Sequence, residues 1–66
     1  MQVWINGMPR ELETGARVVD AVAVLAAPMS GVAVAVDGEV VRKADWALTK
    51  LRSDQSVEVV RAVQGG

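Results

Sequence analysis

The stretch that decides the fold is Arg17–Ala27, RVVDAVAVLAA, which runs up to Pro28. Its valines favour an extended strand, because branching at Cβ restricts χ1 in a helix and suits the pleated surface of a sheet. Its length, the charge on Asp20, the stop at Pro28 and the alanines Ala16, Ala21, Ala23, Ala26 and Ala27 favour a helix. Wound as a helix, it puts Val18, Val22 and Leu25 on one face with Ala21 beside them. The segment is predicted to be the one helix of the chain.

The residues before it read as a β-hairpin. MQVWI, Met1–Ile5, alternates Met1, Val3 and Ile5 on one face with Gln2 and Trp4 on the other. Asn6-Gly7 follows, and both residues tolerate the positive φ of a two-residue hairpin turn. MPREL, Met8–Leu12, then returns as a short strand, with Pro9 pointing to a sheet edge. ETGA is a turn into the helix.

After the helix, PMSG is a loop and VAVAV, Val32–Val36, is a strand; Asp37-Gly38 turns it into the short strand EVV, Glu39–Val41. RKADWALTKL is polar and irregular, with one helical turn expected around Ala44–Ala47, and RSDQS is a turn. VEVVRAV closes the series as a strand. A single helix covers only one face of such a sheet. Val32, Val34 and Val36 are expected to face it with Val57, Val59 and Val63, leaving Ala33, Ala35, Glu58, Val60 and Ala62 on an unusually apolar outer face.

Composition narrows the chemistry. At 66 residues the chain has room for one core, and a domain near this size buries only about 60% of its unfolded surface. Cysteine and histidine are both absent, which removes disulfides, thiolate nucleophiles, zinc clusters and imidazole acid–base chemistry. A self-contained enzyme is not expected. Seven basic residues against eight acidic ones leave no electrostatic footprint for nucleic acid. The longest uncharged run, Ala21–Val36, is shorter than the ~20 residues of a spanning helix and is broken by PMSG, so no membrane association is expected. With no signal-peptide pattern at the N-terminus, a cytoplasmic location is expected.

A short chain of this order, ending on Val57–Gly66, VEVVRAVQGG, resembles the ThiS family of sulfur carriers within the ubiquitin-like superfamily. VWING, VAVAVDGEVV and the RKADW behind it carry the rest of the resemblance, which covers essentially the whole chain. It implies an α+β, ubiquitin-like β-grasp with a mixed sheet of four to five strands, in ββαββ order, packed on one helix. The domain is expected over residues 1–62 and a C-terminal tail over 63–66. Two departures stand out. Ser53, Asp54 and Gln55 replace an acidic-Gly-Asp turn, where Asp54 is able to take the left-handed conformation, and Arg17 stands where a Thr often caps the helix.

The resemblance also implies a chemistry. The Gly66 carboxylate would be adenylated with ATP by an E1-like, ThiF-type enzyme, and sulfur from a sulfur-donating protein would displace AMP to leave a thiocarboxylate, 1-thioglycine. A ThiG-type thiazole synthase would take that sulfur for the thiazole of thiamin. No stably bound cofactor is implied. Gly65 and Gln64 would thread the terminus into its enzymes, where glycine keeps the peptide slim, and the last three residues reach about 10 Å when extended.

Val60, Ala62, Ala33, Ala35 and Glu58 form the candidate docking face, with ordinary strand residues as the alternative reading. Arg61 fits equally a partner's acidic group or a charge whose stem packs on the core. Trp4 faces outward, either as docking surface or as cover for the sheet, and Trp46 is read as a plug at one end of the core. Other functions compatible with the chain are a carrier feeding molybdopterin synthesis, a ubiquitin-like modifier and a binding domain with an idle tail.

Overall fold

The computed structural model describes residues 1–25 and 31–61. It holds strands β1 (Gln2–Ile5), β2 (Met8–Glu11), β3 (Val32–Val36), β4 (Glu39–Val41) and β5 (Ser56–Arg61), with helix α1 (Val18–Val24) between β2 and β3. The five strands make one sheet in the order β2-β1-β5-β3-β4. β1 and β5 run parallel and the other neighbours antiparallel, so the sheet is mixed. This is the α+β, β-grasp arrangement expected, with the strand count at five because Glu39–Val41 pairs along its whole length with β3.

Both dipeptide turns form as their residues dictate. Asn6 and Gly7 take φ of 53° and 80°, and Asp37 and Gly38 take 49° and 87°, the left-handed pair that matches the twist of two antiparallel strands. Asp54 also adopts positive φ, 68°, and its N–H donates to the Gln2 carbonyl at 2.7 Å. The turn before β5 thus holds a left-handed Asp where glycine is the usual residue. β2 is an edge strand, exposed throughout, and there the missing N–H of Pro9 leaves no interior ladder broken.

Within the contested segment Val18–Val24 is a helix, and Ala26 and Ala27 lie outside the described residues. Val18, Ala21 and Val22 are buried and Leu25 is half-buried, which is the predicted face. The helix starts without a hydroxyl cap because the connector after β4 supplies acceptors: Val18 N–H donates to the Thr49 carbonyl at 3.0 Å and Val19 N–H to the Trp46 carbonyl at 3.2 Å. Arg17 reaches the same connector, donating from Nη1 to the Ala47 carbonyl at 2.9 Å, while its own N–H donates to the Asp20 carboxylate at 2.8 Å. Carbonyls from a distant part of the chain therefore do the work of a local Thr.

Val3, Ile5, Val18, Val22, Val34 and Val57 are the largest side chains sealed from solvent. Trp46, at the end of a single 3-10 turn (Lys43–Asp45), closes one end of this core at 3% exposure and donates Nε1–H to the Val41 carbonyl at 3.0 Å. No polar or charged side chain is buried among the described residues. The core is apolar surface closed by one indole whose polar atom has a partner.

Asp37 joins the β3–β4 turn to the start of β5. Its N–H donates to the Ser56 carbonyl at 2.8 Å, and its carboxylate accepts from Ser56 N–H at 2.9 Å and from Gln55 Nε2 at 3.1 Å. The Ser56 N–H foremost and then the Gln55 amide hold this carboxyl below its ordinary value of 3.8; desolvation opposes them, and the Arg52 charge adds a lesser lowering.

Two outcomes are expected. Trp46→Ala removes the closing side chain and should cost about 3–5 kcal/mol, a large share of the stability of so small a domain, read as a lower urea midpoint. The depressed Asp37 carboxyl contributes stability that is complete above pH 3.8 and is lost as pH falls through its lower folded value, since below 3.8 the unfolded chain binds the proton more readily. Asp37→Asn, which keeps one acceptor and tolerates positive φ, should flatten that acid limb in urea melts taken from pH 5 downward; an unchanged limb would assign it to other carboxylates.

Candidate functional site

β5 is the strand that leads toward Gly66, and it lies between β1 and β3 at the centre of the sheet. Its alternation divides the site. Val57 and Val59 are buried against the core, whereas Ser56, Glu58 and Val60 point to the uncovered face. Val60 pairs with Ala33 and Glu58 with Ala35 on β3, so four of the predicted docking residues sit as two cross-strand neighbours. Ala62, Gln64, Gly65 and Gly66 lie outside the described residues.

Arg61 is not on that face. Its register partner is Val32, whose side chain packs toward the core, and period-two alternation puts Arg61 with Val57 and Val59. It is exposed at the strand's end.

One residue of the outer face was missed in the sequence. Val40 pairs with Ala35 across the β3–β4 hairpin and is 76% exposed, more than Val60 at 56%. Ala33, Ala35, Val40, Glu58 and Val60 together line a shallow groove, its floor made low by the two alanines. The signal was available: a two-residue Asp-Gly turn makes Val36 and Glu39 the closing pair, which fixes Ala35 opposite Val40. Trp4, 39% exposed and opposite Ser56, extends the same face across β1.

Asn6 is more than a turn former, because its side chain holds β5. Oδ1 accepts from Val59 N–H at 2.8 Å and Nδ2 donates to the Val59 carbonyl at 3.2 Å. No local pattern signals this, because the two residues are 53 apart in the chain.

The chemistry such a surface supports is contact. Its alanines and valines carry no titratable group, Glu58 is its one charge, and no cluster of three metal-ligating side chains occurs among the described residues. No helix of the described residues is long and apolar enough to cross a membrane. Exposed apolar side chains gathered on two neighbouring strand pairs gain by being covered.

Two solved structures are similar to the chain. One, a crystal structure of the thiamine biosynthesis protein ThiS from Geobacter metallireducens, superposes with a TM-score of 0.83 at 23% identity over 100% of both chains. The other, a solution structure of a thiamine biosynthesis protein from the same organism, gives 0.77 at 25% identity over 100% of this chain and 88% of that one. No curated protein matches the chain significantly. The family model of the ThiS family matches residues 3–66, from the core strand β1 to Gly66 itself, and on that match this chain belongs to the ThiS family.

Proposed function

We propose that this chain is a sulfur carrier of thiamin biosynthesis, itself not an enzyme, whose Gly66 carboxylate is the working group. The family match reaching Gly66 carries the reading, and the likeness to thiamine biosynthesis proteins over the full chain supports it. A carboxylate resists nucleophilic attack because its charge and resonance lower its electrophilicity. Attack of Gly66 on the α-phosphorus of ATP releases pyrophosphate and forms an acyl adenylate. Sulfur at the sulfide level then adds to the carbonyl and expels AMP, leaving the thiocarboxylate with no change of oxidation state.

The sheet supplies a rigid handle for this terminus. Arg61, the last described residue of β5, stands five residues before Gly66, a span of at most about 17 Å if extended. The groove of Ala33, Ala35, Val40, Glu58 and Val60 lies across β5, β3 and β4, and we assign to it the docking of an adenylating enzyme and, in turn, of a thiazole synthase.

Intact mass after incubation with ATP, a ThiF-type enzyme and sulfide tests the carrier role. Replacement of one C-terminal oxygen by sulfur is expected, and an unchanged mass with a demonstrably active enzyme would reject it. Gly66→Val should abolish the change while leaving the urea midpoint within error. Val40→Asp and Val60→Asp each place a carboxylate on the groove. Because both sites are exposed, stability should move by no more than about 0.5 kcal/mol while KM for the carrier rises about tenfold or more. An unaltered KM in both variants removes the groove from the docking surface.

A further inference from the structure

Strand β1 ends at Ile5, because Asn6 and Gly7 turn the chain into β2. Up to that point the parallel ladder with β5 is regular: Trp4 N–H donates to the Gln55 carbonyl at 2.9 Å and Asn6 N–H to the Val57 carbonyl at 2.9 Å. Were β1 to continue, its next carbonyl would accept from Val59 N–H and its next N–H would donate to the Val59 carbonyl. The Asn6 carboxamide makes both of these bonds instead, at 2.8 Å and 3.2 Å. One side chain replaces the missing peptide group and carries the ladder one step further toward the C-terminus.

The position of that step matters. Val59 lies two residues before the end of β5 and directly precedes Val60, which lines the groove. On its other edge β5 is held by β3 as far as Val32 opposite Arg61. Toward β1, Asn6 is the last partner of β5 among the described residues. A substituent that keeps the turn but lacks the carboxamide would leave two polar groups of Val59 without that partner and free this edge to fray.

We infer that Asn6 is a positioning residue for the C-terminal part of β5, fixing the place and direction of the strand from Val59 to Arg61. The inference rests on the sulfur-carrier reading for its consequence but not for its geometry. Loss of the clamp lowers the fraction of carrier whose β5 end is in the binding-competent register, and apparent affinity falls by that fraction. Once bound, the enzyme restores the register. KM therefore changes and kcat does not.

The experiment uses Asn6→Gly, which accepts positive φ at this turn, with Asn6→Asp as a second variant that keeps the acceptor and loses the donor. Amide hydrogen exchange should accelerate about tenfold or more at Val59 in N6G, with Val3 and Val34 in step with the global stability only. In ATP–pyrophosphate exchange with the adenylating enzyme, KM for the carrier should rise roughly 3–10-fold at unchanged kcat, with N6D also impaired. Unaltered exchange at Val59 overturns the clamp. Faster exchange with an unaltered KM overturns its positioning role. If the wild-type chain is itself no substrate for an active enzyme, the carrier reading fails and the role with it, while the exchange data still decide whether the clamp exists.

Discussion

The first and last strands of the described chain lie side by side, parallel, at the middle of the sheet, and the rest of the molecule depends on that pairing. Only Trp4↔Ser56 and Ile5↔Val57 are direct register pairs. On one side hangs the β1–β2 hairpin and on the other the antiparallel β5–β3–β4 unit. A two-stranded hairpin has little stability alone, and either piece needs its apolar face covered. What joins them is the inward row of Val3, Ile5, Val57 and Val59, closed beneath by Val18, Ala21 and Val22 of the helix. A junction this short needs its ends fixed, and Asn6 at one end and the Asp54 turn, bonded to Gln2, at the other fix them.

This centring decides what each face is free to do. Edge strands are where sheets risk pairing with other chains, and here they are blunted, β2 by Pro9 and β4 by having only three residues. β5 has a neighbour on both edges, so its remaining freedom lies perpendicular to the sheet. The inner side is occupied by core valines. The outer side is left to Glu58 and Val60, and a partner that reads β5 reads it through that side.

Much of this architecture was legible because its signals are local. Two positive-φ dipeptides, one proline at an edge and the alternation of valine with alanine give four strands and their faces. Arg17–Ala27 was harder, since propensity divided between strand and helix. Its fate was settled by tertiary acceptors, the Thr49 and Trp46 carbonyls, which have no sequence signature. The site was legible in proportion to the same locality. Val60, Ala33 and Ala35 follow from alternation, and Val40 from hairpin register. The hold of Asn6 on Val59 and the separation of Arg61 from Val60 both require knowing which strand lies beside β5 and in what register.

The composition of the outer face also fits a surface covered some of the time and bare the rest. Alanines at positions 33 and 35 keep the floor flat, so the area lost to solvent when a partner departs is small, and Val40 and Val60 supply most of the apolar gain on contact. Glu58 is the one charge of the groove. Two copies whose two-fold axis passed beside Glu58 would bring their carboxylates together in apolar surroundings, whereas a partner presenting a basic group there meets a complementary charge. A like-charge contact in an apolar setting costs more than a valine contact returns. One carboxylate in the groove therefore favours a contact that sets a basic group beside Glu58 over one that sets a second carboxylate there.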